Sequence, residues 1–324
     1  MPDLAPEPLT GLLFIGDPHL ASRAPGFRKD DYPRVALAKV RWAIDYALEH
    51  RLLPVLLGDL FDYPRDNANW MLVELLGLFS RCPDGCALAI YGNHDTKENE
   101  LGDNDTLSVL ATAGHVRLLD GAPWRGRMNG CHVVVGGASW GKKLPQSFDR
   151  SDLPAGEPAR VFWITHHDLR FPGYEEQARM SCRAIEGIDV VVNGHIHRRL
   201  DDAVCENTTW LNPGNITRVS RGDATRNHEP AVLRIDVSPD GGWNRTRVPV
   251  PHQPFDEVFH REMEFADVQL SESMFVRELA TLESTRTATG AGLRAFLDAN
   301  LPQFEERVSR EINSLAQEVL NDAR

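Results

Sequence analysis

The sequence predicts an α/β protein, and three observations lead there. Short apolar runs of strand length end abruptly in Gly-Asp or Gly-Asn-His loops, amphipathic helical segments lie between them, and the chain of 324 residues is 42% hydrophobic and 25% charged. That length buries a full core, as one large domain with an appendage or as two modest ones, and the composition is that of an ordinary globular protein.

Gly11 to Ile15 is the first apolar run, stopping at Gly16-Asp17-Pro18-His19, and Pro54 to Leu57 repeats the design before Gly58-Asp59. Both read as buried strands. Between them, from about Tyr32 to His50, Val35, Ala38, Val40, Trp42, Ile44, Ala47 and Leu48 follow a mostly helical pattern, which gives β-α-β. A helix through Trp70 to Phe79 comes next, then a strand from Ala87 to Tyr91 ending in Gly92-Asn93-His94-Asp95, and a helix near Asp105 to Ala113. Further strands are expected at Val133 to Val135, Val161 to Thr165 and Val190 to Val192, the last ending in Asn193-Gly194-His195-Ile196-His197, with closing strands near Trp210 and at Val232 to Val237.

The Pro-rich stretch Pro249 to Pro254 reads as a boundary, dividing a main domain over 1–250 from an extension over 251–324. Residues 271–320 carry no strand signal. Phe275, Leu279 and Leu282 fall at helical spacing, and Val308, Ile312, Leu315 and Val319 keep a heptad-like rhythm. A helical extension is expected, its stripe serving packing, self-association or the grip of a partner helix.

Charge and cysteine usage narrow the setting. The net charge is −12, and residues 255–324 hold 14 acidic against 7 basic side chains. Overall acidity argues against loose, charge-driven binding of bare nucleic acid, although carboxylates that hold cations would lose their charge on binding them. The five cysteines, Cys82, Cys86, Cys131, Cys182 and Cys205, are scattered and odd in number, so reduced thiols are expected rather than a disulfide framework. Cys82 and Cys86 would make half a zinc site, but no second thiol pair follows. No apolar run approaches the roughly 18 residues of a membrane span and no signal segment stands out, so a cytoplasmic location without membrane contact is expected.

The chemistry lies at five strand-to-loop junctions. Asp17 and His19 come first, then Asp59, then Asn93 with His94, then His166 with His167, then His195 with His197. One Asp or His at a strand end has a bland explanation as a loop or cap residue. Five in succession converge along the carboxyl edge of a sheet, where such folds bind ligands. Carboxylate, imidazole and amide oxygen without thiolate suit manganese, iron or zinc. So many ligands suggest two ions, and a pair of ions needs a bridging carboxylate, for which Asp59 is the candidate. His167 should face away from His166, since consecutive strand residues point to opposite faces, and Asp62 suits a loop or a position behind the ligands.

Asp17-x-His19, Gly58-Asp59-x-x-Asp62, Gly92-Asn93-His94-Asp95, His166 and Gly194-His195-x-His197 together resemble the calcineurin-like metallophosphoesterase superfamily in order and spacing over residues 11–200. The resemblance implies a four-layer αββα sandwich with two mixed sheets and two divalent ions, most suitably Mn2+, with Fe or Zn as alternatives. It places Asp17, His19 and His197 on the first ion, Asn93, His166 and His195 on the second, and Asp59 between them. It leaves His94 off the ions, facing the substrate phosphate as transition-state stabiliser or proton donor, with Asp95 orienting it, while water activated between the ions attacks phosphorus directly. Gly58-Asp59-Leu60-Phe61-Asp62-Tyr63 and Gly194-His195-Ile196-His197-Arg198 look like the bacterial SbcD-like DNA-repair exonuclease branch, which implies DNA as substrate and a coiled-coil ATPase partner for the C-terminal helices. Arg198, Arg199, Arg218, Arg221 and Arg226 then become candidates for a phosphate-backbone groove. A small-molecule or cyclic-nucleotide phosphodiesterase, or a phosphoprotein phosphatase, would use the same ions behind a different rim.

Overall fold

Two six-stranded mixed sheets stacked face to face form the core of the first compact unit, which runs to Phe259. The computed structural model describes residues 8–260 except 26, 27, 177 and 222, so the helical stripe expected over 271–320 lies outside the described residues. In chain order the strands are β1 (Gly11–Ile15), β2 (Leu52–Leu56), β3 (Ala87–Ala89), β4 (Val116–Leu118), β5 (Trp124–Met128), β6 (Cys131–Ala138), β7 (Ala159–Thr165), β8 (Leu169–Arg170), β9 (Met180–Ser181), β10 (Val190–Asn193), β11 (Ala203–Cys205), β12 (Thr208–Leu211), β13 (Ala231–Val237) and β14 (Trp243–Pro249). The helices are α1 (Tyr32–Glu49), α2 (Asn69–Phe79), α3 (Thr106–Thr112), α4 (Asp223–Arg226) and α5 (Phe255–Val258).

The first sheet runs β14-β13-β1-β2-β3-β4 and the second β11-β12-β10-β7-β6-β5, with β8 and β9 forming a separate small ribbon. β1, β2, β3 and β4 are mutually parallel, as are β6, β7, β10 and β12, while β13, β14, β5 and β11 join antiparallel at the edges. Parallel central strands covered on both faces are apolar throughout, and every residue of β1 and β2 is buried. Alternate residues serve the two faces. Leu12, Phe14, Leu53 and Val55 meet Val133, Phe162, Ile164 and Val192 between the sheets, whereas Leu13, Ile15 and Leu56 turn outward onto the helices.

Helices α1, α2 and α3 cover the outer face of the first sheet. α1 starts with proline in its first turn and presents Ala36, Val40, Ala43, Ile44 and Ala47 at helical spacing. α2 adds Met71, Leu75, Leu78 and Phe79, and α3 adds Leu107 and Leu110. Full burial of each Val, Leu or Ile contributes about 1.5–3 kcal/mol. The outer face of the second sheet, where Val134, Val161, Val191 and Trp210 emerge, is covered among the described residues by Leu144, Phe171, Ile185 and Ile188 from irregular connections. Pro145, Pro154, Gly156, Pro158, Pro172, Gly173 and Gly187 in those connections explain the lack of helix there.

The first compact unit runs to Phe259. Residues just beyond the expected boundary at 250 therefore stay with the sandwich. Phe255, Val258 and Phe259 form a small apolar cluster, the Lys29 amide donates to the Val258 carbonyl at 3.0 Å, and the Arg28 guanidinium lies 5.0 Å from the centre of the Phe259 ring. Among the described residues no helix is long and apolar enough to cross a membrane.

Candidate metal centre

Parallel strands place their carboxyl ends together, and the loops leaving β1, β2, β3, β7 and β10 bring the predicted side chains into one cluster. Ligating atoms of Asp17, His19, Asp59 and His197 lie within 4.8 Å of one another, and so do those of Asp59, His166 and His195. Asp59 belongs to both sets. Its Oδ2 is 3.2 Å from His166 Nε2 and 3.7 Å from His19 Nε2, which is where a bridging carboxylate has to stand. Asn93 adjoins the second set, its Oδ1 lying 3.0 Å from His195 Nδ1 and 3.3 Å from His166 Nε2.

The backbone is bent to achieve this. Asp17, His19, Asp59 and His195 all adopt positive φ, at 41°, 47°, 47° and 68°. Non-glycine residues rarely occupy this left-handed region, and such strain gathers at functional sites. Gly58, with φ 94°, and Gly92 make room for the cluster: a Cβ on Gly58 would sit 2.5 Å from His166 Nδ1, and one on Gly92 would sit 2.1 Å from Asp59 Oδ1. These contacts explain the glycine before Asp59 and the glycine before Asn93.

Partners behind the ligands fix which ring nitrogen faces the centre. His19 Nδ1 donates to Asp62 Oδ1 at 3.1 Å, leaving Nε2 to face His197 Nε2 at 2.9 Å. His166 Nδ1 donates to the Leu57 carbonyl at 2.7 Å, leaving Nε2 toward Asp59. Such outer contacts orient metal-binding imidazoles. Asp62, placed by sequence in a loop or behind the ligands, thus serves His19 directly.

The donor set fits a pair of divalent ions. Among the described residues Asp17 Oδ2 is buried without a hydrogen-bond partner, while its other oxygen accepts the His195 amide at 2.9 Å. An orphaned buried carboxylate oxygen is costly, and two imidazole Nε2 atoms 2.9 Å apart likewise aim their lone pairs at a common point. Charge is unbalanced without cations. Burial, reinforced by the Asp59 charge, raises Asp17 to about 6 although His166 and His19 oppose it. Burial would also raise Asp59, but His166, His19 and His94 hold it well below the usual carboxylate range. His166 is pushed down by burial yet lifted to about 9 by Asp59 and Asp17. His195 falls to about 3 through burial and the His166 charge, which leaves it neutral as a ligand should be.

His94 stands at the mouth with its side chain 42% exposed. Its Nδ1 donates to the Asp62 carbonyl at 2.8 Å and its amide donates to Asp59 Oδ1 at 2.8 Å. The expected orienting role of Asp95 takes a different form. The Asp95 carboxylate is wholly buried and accepts the amides of Leu60, Phe61 and Gly92 at 3.3, 3.0 and 2.9 Å, so it ties the Asp59 loop to the Asn93 loop while the Asp62 carbonyl aims His94. Burial and the Asp59 charge raise it to about 7 against the pull of those amides. His167 points away, with Nδ1 on Thr165 Oγ1 and Nε2 donating to the Lys142 carbonyl at 2.7 Å. Sequence reasoning missed Trp140, whose ring centre lies 5.0 Å from that of His195 and whose Nε1 donates to Asn99 Oδ1 at 3.3 Å. Its only sequence signal is a place two residues past the end of β6, on the same sheet edge as the ligands.

Residues 11–199 match the family model described as calcineurin-like phosphoesterase, and the chain belongs to that family. No curated protein matches. Solved structures that are similar include a hypothetical protein from Thermus thermophilus, 13% identical over 74% of this chain and 99% of that one at TM-score 0.40. A conserved uncharacterized protein, a predicted phosphoesterase from Streptococcus pneumoniae, is 12% identical over 74% and 97% of the two chains at TM-score 0.30. The sulfate thiohydrolase SoxB of Thermus thermophilus, in complex with glycerol, is 16% identical over 75% and 54% at TM-score 0.36. The family and the cluster of Asp and His side chains make this a hydrolase with a candidate dinuclear metal centre.

Proposed function

We propose that this chain hydrolyses phosphodiester bonds of nucleic acid, with DNA the first substrate to test and manganese the first metal. The observation that carries the reading is the position of Asp59 Oδ2 between His166 Nε2 and His19 Nε2, which joins two ligand sets into one centre. Two divalent cations bound there would supply Lewis-acid charge to the phosphoryl oxygens and a water of lowered pKa. Asp17, His19, Asp59 and His197 would hold one, and Asp59, Asn93, His166 and His195 the other. His94 supplies the remaining function. With Nδ1 committed to the Asp62 carbonyl, its Nε2 is left to give a proton to the departing oxygen.

The sequence supports the finer assignment through the likeness of Gly58 to Tyr63 and Gly194 to Arg198 to SbcD-like nucleases. On this reading residues 271–324 engage a coiled-coil ATPase or a second copy of the chain, and the five free thiols suit the cytoplasm. The test is hydrolysis, with added manganese, of end-labelled linear DNA, a chromogenic phosphodiester and a chromogenic phosphomonoester, with Asp59→Ala as control. DNA degradation that the control lacks is the expected result. Activity confined to the small esters would replace the nuclease reading with a small-molecule phosphodiesterase or a phosphatase.

A further inference from the structure

A groove leads away from the metal centre behind His197. It consists of three adjoining cavities of about 40, 410 and 170 Å3. The first has His197 and Asn215 in its wall, Arg198 and His228 continue into the second, and Arg199 and Arg247 continue into the third. Its lining comes from the loop after β10, the segment after β12, and β14, so it follows the seam between the edges of the two sheets.

Two features distinguish this groove from ordinary surface. Its carboxylates are already paired: Asp202 with Arg245, and Glu229 with Arg247 at 3.2 Å. Arg199 is exposed and has no ion pair among the described residues. Arg198 is pre-set, its guanidinium 4.9 Å from the centre of the Tyr174 ring and its Nη2 donating to the Gly173 carbonyl at 3.0 Å. The groove therefore keeps a surplus of positive charge beside a metal ligand. The second feature is unmet hydrogen bonding. Among the described residues, Arg198 Nε, Arg247 Nε and Asn215 Oδ1 are buried without partners, and Asn215 is only 2% exposed. Leaving such groups unpaired is costly, and the three residues that carry them all line the groove.

We infer that this groove seats the backbone phosphates of a nucleic-acid strand next to the phosphodiester at the metal centre, with Arg198 and Arg199 as the phosphate-binding residues. The inference rests on the proposed phosphodiesterase reading and adds to it: the chain favours a polymer over a small ester because the polymer alone fills the groove. Arg218 and Arg226 take no part. Arg218 is buried, donating to the carbonyls of His228 and Gln253, and Arg226 pairs with Asp256 at 3.2 Å.

The experiment uses the full chain with manganese and compares a 5′-labelled oligonucleotide with a chromogenic phosphodiester for wild type, Arg198→Ala, Arg199→Ala, the double variant and Arg199→Lys. Each alanine is expected to lower the oligonucleotide-to-diester ratio of kcat/KM about ten-fold through KM, the loss of one charge-assisted phosphate contact. The dependence of log KM on log salt should flatten by roughly 0.7 per arginine removed, a change that a merely structural residue would not produce, and Arg199→Lys should retain the slope. An unchanged ratio and slope in the double variant, with DNA still cleaved, would overturn the groove and spare the nuclease reading. A loss shared equally by both substrates would also overturn it, and exposed Arg199 decides the matter should Arg198→Ala disturb His197. Wild-type protein that cleaves the diester but no oligonucleotide would overturn the nuclease reading and the groove with it.

Discussion

His94 is fixed at two points, its amide on Asp59 Oδ1 and its ring Nδ1 on the Asp62 carbonyl, and it lies outside the two sets joined by Asp59, although a ring nitrogen falls within 4.8 Å of ligating atoms of His19 and Asp62. Replacing it by Ala should lower kcat by about 10²–10⁴-fold while metal content stays near that of the wild type. Metal analysis alongside turnover checks this, and loss of metal would move His94 into the coordination shell. The ligands themselves make loading depend on pH. With its pKa lifted to about 9 against the effect of burial, His166 carries a proton near neutrality and must release it to bind an ion. Affinity at the second set should therefore weaken up to about ten-fold for each pH unit below 9, and affinity at the first set should weaken below about 6, where Asp17 takes up a proton. Calorimetric titration of manganese near pH 7.5, in buffers of different ionisation enthalpy, should show about one proton released. A heat independent of the buffer would contradict this.

α1 does more than cover the first sheet. Its Lys39 is buried, donates from Nζ to the Ile216 carbonyl at 3.0 Å, and so pins the segment that leads from β12 into the groove. Burial, helped by Arg28 and Arg218, lowers its pKa to about 7. The unfolded chain keeps that proton up to about 10.5, so between these values unfolding takes up a proton and the contribution to stability rises with pH. Urea unfolding of wild type and Lys39→Met between pH 7 and 10 should show wild type gaining relative to the variant, and parallel curves would refute the assignment. The same scale shows what was legible in the sequence. β1, β2, β3, β7 and β10 were visible because strands buried on both faces are continuous apolar runs, each ending beside a ligand. β5 and β14 were not, because edge strands such as Trp124-Arg125-Gly126-Arg127-Met128 and Trp243 to Pro249 alternate with arginine and polar residues and half face water. The candidate ligands were legible as local motifs. The aiming of His94 by the Asp62 carbonyl, the nearness of Trp140 and the groove were not, since each depends on segments brought together only by stacking two sheets.

At the scale of the whole chain, the question is where the catalytic unit ends. A chain stopped at Val250 would keep every described strand but lose Phe255, Val258 and Phe259, the backbone tie from Lys29 and the ring under Arg28. Burial of those three apolar side chains is worth on the order of 5 kcal/mol, an upper figure, against the roughly 5–15 kcal/mol that holds a domain together. A chain stopped at His260 keeps all of them. The shorter chain should thus be poorly soluble or unfold at a markedly lower temperature, whereas the longer should melt cooperatively and hydrolyse a chromogenic diester at a rate within about two-fold of the full chain, because every candidate ligand and orienting residue named above precedes His260. Thermal unfolding and diester turnover of the two truncated chains distinguish these outcomes. If the chain ending at His260 also fails to fold, the 64 residues after it contribute to the stability of the phosphoesterase itself, and their heptad-like stripe is internal packing. If it folds and works, that stripe is left for a partner, and a loss of self-association or of ATPase binding on truncation would show which.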